Sequence, residues 1–272
     1  MHKLTTEQKI LYILRIACAM CFIGHGAFGI ITKPVWCNYF GVFGISRQTA
    51  YGIMPVIGTI DILFGLMILL YPLRGAFAWL VIWGFFTAML RPLSGEPLAE
   101  FFERAGNYGA PFLLLLLIAA PGKKDQSFFS AITSNISLNE DAFKKLTIGL
   151  RVAAFLLFIG HGWLNLLAKK GLIAQYTSLH FSDPHLVSQV IGSAEIAAAL
   201  LVLLRPSPLL VFGLFLWKMG SELFYPGYEL FEWIERGGSY GILLALWISV
   251  KYRPTFLQKT SLKPASFFQI FS

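Results

Sequence analysis

Eight stretches of the chain are almost wholly apolar: 10–31, 51–71, 75–93, 106–121, 147–167, 186–204, 208–224 and 237–250. A helix needs about 20 such residues to cross a bilayer, so the pattern predicts an all-α integral membrane protein with eight transmembrane helices. The fourth and eighth stretches are short; each begins in the amphipathic segment before it or crosses a thinned bilayer. An even number of crossings leaves both termini on one side. Met1–Lys9 runs into a full-length span rather than a short core with an Ala-x-Ala site, so no cleaved signal peptide is expected.

Composition fits this. Of 272 residues, 56% are hydrophobic and 13% charged, with a mean hydropathy of +0.66, against about 25% charged in a soluble domain. That excludes a disordered chain and a nucleic-acid-binding domain, and leaves too little polar surface for a water-soluble enzyme. Three cysteines give no disulfide framework. The net charge of +8 needs no polyanionic partner. With the spans drawn, 14 of the 22 basic residues fall on the side of the termini, seven on the other, and Lys218 inside a span. The positive-inside rule then places both termini in the cytoplasm and the chain in the inner (plasma) membrane.

The spans are also written twice. Leu14-Arg15 and Phe22-Ile23-Gly24-His25-Gly26 recur as Leu150-Arg151 and Phe158-Ile159-Gly160-His161-Gly162, at an offset of 136. Gly58, Asp61 and Trp83 recur as Gly192, Glu195 and Trp217, at 134. Glu103-Arg104-x-Gly-x-Tyr-Gly recurs as Glu235-Arg236-x-Gly-x-Tyr-Gly, at 132. The predicted organisation is a first four-helix unit at 1–121, a cytoplasmic linker at 122–145, and a second four-helix unit with a cytoplasmic tail at 146–272. Four spans per unit make the repeats parallel, related by an axis along the membrane normal.

These residues resemble the DoxX family of four-helix membrane proteins. The likeness rests on Arg15 early in the first span and Phe22-Ile23-Gly24-His25-Gly26 at its far end. It continues through the loop Tyr39-Phe40-Gly41-Val42-Phe43-Gly44-Ile45 and through Gly58, Asp61 and Ile62 in the second span. It covers nearly all of 10–121, and 147–250 more loosely. Most members are single units, so the chain resembles a fused duplicate. The resemblance implies a quinone-linked or thiol-linked redox role.

Ionisable groups at membrane depth are expensive, about 2.5–3.5 kcal/mol each on insertion scales, and face the bundle interior. By helical rise, His25 and His161 lie about 21–22 Å from the cytoplasmic edge, with Asp61 and Glu195 near the midplane. Lys218 is level with Glu195 and Glu222 with His161, so Lys218 is expected to contact Glu195 or Asp61, and Glu222 to reach His161. Each such pair could equally hold spans in register. The glycines flanking both histidines admit another backbone or a flat ligand. Arg15 and Arg151 could snorkel to headgroups, bind an anionic headgroup or partner the carboxylates. Cys18 and Cys21 lie in an apolar span and read as packing residues, their counterparts being Ala154 and Leu157. Cys37 is a single thiol.

In the outer segments, Glu96, Glu100, Glu103 and Arg104 share helical spacing, as do Glu229, Glu232, Glu235 and Arg236. They read as interfacial helices with their charges in water, or as two acidic-aromatic rims over a cavity. The candidate site lies below them: His161, Glu222 and His25 as catalytic groups, with Glu195, Lys218, Asp61, Trp217, Trp83, Glu235, Arg236, Glu103 and Arg104 as ligand-binding residues. One working site in the second unit is expected, the first completing its wall. Histidine titrates near neutrality, so the leading function is a quinone-linked redox protein, or a subunit of one, binding a lipophilic ring between the repeats. Alternatives are a carrier for a lipid, haem or small solute, and an assembly factor. Two histidines could ligate haem iron, but nothing in the sequence fixes their separation. The expected partners are the bilayer, a quinone or other lipophilic molecule and a redox protein. No nucleic acid, no metal site and no nucleotide-binding, protease or hydrolase motif is expected.

Overall fold

The computed structural model describes residues 4–119, 127–134, 136–225 and 230–252. Lys3, the linker residues Lys123, Lys124 and Asp125, the rim residue Glu229, and the tail with Arg253, Lys259 and Lys263 lie outside the described residues. Among the described residues every regular element is a helix, apart from one isolated antiparallel bridge between Leu73 and Ala131. In chain order the helices are α1 (Thr6–Ile30), α2 (Trp36–Gly41), α3 (Arg47–Leu70), α4 (Arg74–Leu93), α5 (Ala99–Glu103) and α6 (Ala105–Ile118). Then come α7 (Glu140–Leu166), α8 (Lys170–Ser178), α9 (Pro184–Leu204), α10 (Pro208–Leu223), α11 (Leu230–Glu235) and α12 (Gly237–Lys251).

Local chemistry sets where the long helices start. The Thr5 hydroxyl accepts from the Gln8 amide while the Gln8 side chain accepts from the Thr5 amide, a capping box before α1. Ser46, Asn139, Asp183 and Ser207 each accept from the amide three residues on, at the starts of α3, α7, α9 and α10. Pro184 and Pro208 fill first-turn positions where a missing N–H is harmless. α1 and α7 end without glycine: Thr32 and Ala168 follow them with φ of 54° and 51°, a region where glycine is the usual residue.

Four helices, α1, α3, α4 and α9, are long and apolar enough to cross a membrane. α6, α10 and α12 have 14, 16 and 15 residues, about 21–24 Å of helix. α7 is 27 residues long and opens on Glu140, Asp141, Lys144 and Lys145. α5 and α6 are separated by Arg104 alone, and α11 and α12 by Arg236 alone. The fourth and eighth apolar stretches therefore continue backwards into the amphipathic segments through a break at arginine.

α1 packs along α3 and α7 along α9, while α6 and α12 cross between α1 and α7. Leu14, Phe22, Leu114, Leu157, Phe158 and Leu246 form the shared core. The outward faces carry exposed Val56, Leu63, Ile82, Val190 and Leu209, an apolar exterior suited to a bilayer. Gly26 and Gly58 let α1 and α3 meet backbone to backbone, and Gly162 and Gly192 do the same for α7 and α9.

Arg15 donates to the carbonyls of Ile68 (2.6 Å) and Leu69, and Arg151 to those of Leu203 and Leu204 (3.1 Å for Leu204). Each thus satisfies orphan carbonyls in the last turn of α3 or α9, where a cation also suits the helix dipole. Cys37 is buried in a small cluster with Phe28, Trp36 and Met54.

Candidate functional site

The site is built around two helix breaks. A Cβ on Gly24 would collide with the backbone of Glu235, and one on Gly160 with the backbone of Glu103. The glycine before each histidine thus receives the Glu-Arg break of the other half of the chain. That approach brings the four charges together crosswise: Arg104 reaches Glu235 at 3.3 Å, and Arg236 pairs with Glu103. Lys218 joins them, 3.4 Å from Glu103 and 2.6 Å from Glu222, and the Arg236 Nε lies 3.9 Å from Glu222. All six groups are buried, a placement tolerable only with partners this close.

This overturns two readings of the sequence. Glu103, Arg104, Glu235 and Arg236 are no water-facing rim; they join the two halves internally. Lys218 contacts neither Glu195 nor Asp61, because Glu222 on its own helix and Glu103 from the other half hold its ammonium. Asp61 has a partner in its own half, since its carboxylate lies 2.8 Å from His25 Nδ1. Glu222 and His161 do line one common space, of about 20 Å³.

The two histidine sites share a core and differ around it. His161 Nδ1 lies 2.7 Å from Glu195, which also accepts from the Trp217 indole at 2.8 Å and from Asn165 at 3.2 Å. Asn165 is held in turn by Tyr176 and Ser188. Around His25 and Asp61 none of these supports recurs: the residues at the repeat offsets of Asn165 and Ser188 are Gly29 and Met54. The Trp83 indole N–H, counterpart of Trp217, is buried with no hydrogen-bond partner among the described residues.

Room lies beside His25. A cavity of about 560 Å³ opens there, within the usual range for small-molecule sites. α2 covers it with Trp36, Tyr39 and Phe40, α4 contributes Trp83 and Phe86, and His25 stands in the wall with its ring 4.6 Å from that of Trp36. Asp61 takes Nδ1, which leaves Nε2 outside that bond. The polar lining is rich in cations: Lys33, Arg91, Arg104, Lys169 and Arg236, against Glu232 and Glu235. So His25, Trp83, Arg104, Glu235 and Arg236 meet in one place, Asp61 stands behind His25, and Glu103, His161 and Glu222 gather round the smaller space. Glu195 and Trp217 belong to the second histidine cluster.

Sequence reasoning missed the cover of the cavity. Tyr39 donates to Glu96 at 2.7 Å, Arg91 reaches Glu96 at 2.9 Å and Glu100 at 3.3 Å, and Lys169 reaches Glu100 at 2.6 Å. Helical spacing marked Glu96 and Glu100 as neighbours; nothing local announced that Lys169, from the connection after α7, would meet them. Burial pushes the Tyr39 phenol above its ordinary range, with Arg91 opposing only in part, and pushes Tyr225 up to about 12. Both stay protonated donors at neutral pH. Burial draws Lys169 below the usual lysine range, against the pull of Glu100.

Compared with protein-family models, with curated proteins and with solved structures, the chain matches none. The geometry therefore carries the functional argument alone.

Proposed function

We propose that the chain is a duplicated, DoxX-like protein of the inner membrane, crossing eight times as two parallel four-helix units with cytoplasmic termini. Its cavity binds a flat lipophilic ring of the quinone class. Supporting eight crossings, 99–118 and 230–251 each become long enough when the break at Arg104 or Arg236 counts as part of the span. The observation that carries the functional reading is the His25–Asp61 pair, 2.8 Å apart, in the wall of an aromatic cavity of about 560 Å³.

Reducing a quinone to a quinol takes up two electrons and two protons. In this reading His25 and Asp61 hand over protons, and a redox partner protein supplies the electrons. Trp36 and Tyr39 flank the ring. Cys18 and Cys21 are buried free thiols in the core and take no part.

Titrating the purified protein in lipid nanodiscs with menadione, read by tryptophan fluorescence, tests this. Saturable quenching that His25→Ala abolishes and His161→Ala spares is the expected result. No saturable quenching, or loss with His161→Ala alone, sinks the reading. A second reading, a carrier for an anionic amphiphile, has the cation-rich lining on its side. It predicts that a fatty acid or phospholipid displaces menadione with equal ease.

A further inference from the structure

Beside the cavity, the outer face of the bundle has a seam between α3 and α4. α3 and α4 are consecutive and joined by Tyr71–Leu73, yet they barely touch, because α3 packs on α1 and α4 on α6. Along this seam five rings stand in series: Phe43 on Phe86, Phe86 on Trp83, Trp83 on Trp79, and Trp79 on Phe64. Successive centroids are 5.8–6.3 Å apart and the planes lie within 27° of one another. Phe43, Trp83 and Phe86 also line the cavity, while Phe43, Phe86 and Trp79 are exposed on the outer face.

The fold does not demand these rings. At the offset that takes Trp83 to Trp217, Trp79 becomes Gly213, Phe86 becomes Gly220 and Phe64 becomes Ala198. A Cβ at Gly213 or Gly220 would meet nothing within 4 Å, so the other half has space for side chains and does not use it. Nor is the series an interfacial belt, since such belts sit at the ends of spans and Trp79, Trp83 and Phe86 run along the middle of α4. The rings go with the cavity, in the half that has one.

We propose that the ligand carries a long apolar tail that leaves the cavity sideways between α3 and α4 and lies along this ladder, facing the acyl chains. The proposal rests on the reading of the cavity as a ring site, and narrows the ligand to a ring with a hydrocarbon tail. The ring stays by His25 while the tail trades contacts with lipid for contacts with stacked aromatic faces, whose gain is dispersion rather than release of water.

The test uses the full chain in lipid nanodiscs and a decyl-ubiquinone whose tail ends in a diazirine, with tailless ubiquinone-0 as the companion probe. Illumination and peptide mass spectrometry are expected to find adducts between Phe64 and Phe86. By mass action, unlabelled decyl-ubiquinone at ten times its Kd reduces them about tenfold. In a Phe64→Ala/Trp79→Ala variant, which leaves the cavity lining intact, the adducts leave that segment, while ubiquinone-0 quenches tryptophan fluorescence with an unchanged Kd. Competable adducts on α9 or α10, or ladder adducts that resist competition, overturn the proposal and leave the ring site standing. If ubiquinone-0 itself gives no saturable quenching, the ring-site reading falls, and this proposal with it.

Discussion

His25 and His161 each present Nδ1 to a carboxylate, at 2.8 and 2.7 Å, and beyond that bond their surroundings part. Around His161 the carboxylate is longer by one methylene and takes two further donors, Trp217 and Asn165, while Tyr176 and Ser188 fix the asparagine. Around His25 the carboxylate serves the imidazole, the matching indole has no partner among the described residues, and a cavity of about 560 Å³ replaces the polar shell. The same pair of residue types is thus a closed structural knot in one half and an open site in the other. Each buried donor that finds an acceptor rigidifies its site; each one left out keeps room for something that is not protein.

The largest effect that would test this contrast lies between the sites, at the crossed charges. Arg236→Ala leaves Glu103 and Glu222 buried with less compensation, and losing one member of such a set costs about 3–5 kcal/mol. Thermal unfolding, followed by a thiol-reactive dye reporting on the buried cysteines, is expected to show a large fall in the midpoint. Arg236→Lys, which keeps a cation beside Glu103 and Glu222, should recover part of it.

Next comes a crossed comparison of the two carboxylates. Glu195→Ala strands His161, Trp217 and Asn165 without their acceptor, so a stability loss of about 3 kcal/mol is expected from unmet buried donors. Asp61→Ala strands only a histidine that faces open space, and about 1 kcal/mol is expected. Menadione titration should rank them the opposite way, with Asp61→Ala losing quenching and Glu195→Ala keeping it. Equal effects in both assays would dissolve the distinction between the halves.

The tryptophans repeat the contrast on a smaller scale. Trp217→Phe removes a bond to Glu195 and should cost about 1 kcal/mol, whereas Trp83→Phe removes an N–H that has no partner among the described residues and should be close to neutral. The smallest effect concerns the end of α1. Thr32 sits at φ 54°, and Thr32→Gly is expected to raise stability by about 1 kcal/mol by relieving a left-handed conformation. The same assay reads both.

Much of this was legible in the chain because it depends on short-range pattern. The apolar stretches marked where α1, α3, α4 and α9 run, and the paired glycines marked where backbones come close. The histidines flagged the site, and the buried Asp61 and Glu195 were recognisable as groups needing partners. Depth along a helix, however, says nothing about azimuth. Lys218 was level with Glu195, yet its ammonium points to Glu103, which is 115 positions away in sequence. Arg15 was near the membrane edge, yet nothing local announced that it would donate to two carbonyls at the end of α3. The acidic segments looked amphipathic because their charges recur at helical spacing. That spacing looks the same whether the face meets water or an opposing arginine. The position of the cavity was illegible for a similar reason: it depends on polar side chains missing from the first half, such as those opposite Asn165 and Ser188, and an absence has no local signature.

The crosswise bond between Glu103 and Arg236, with its mate between Arg104 and Glu235, bears on biogenesis and ancestry. A ribosome that has delivered only residues 1–121 to the membrane has placed Glu103 and Arg104 there before their counterparts exist. The first half therefore waits, unfinished, for the second to arrive. A free-standing unit of this kind carries both the acid and the base, and it could complete the same exchange with a second copy of itself. Duplication and fusion would then have turned an association between two chains into a contact within one, freeing one of the two histidine sites to close.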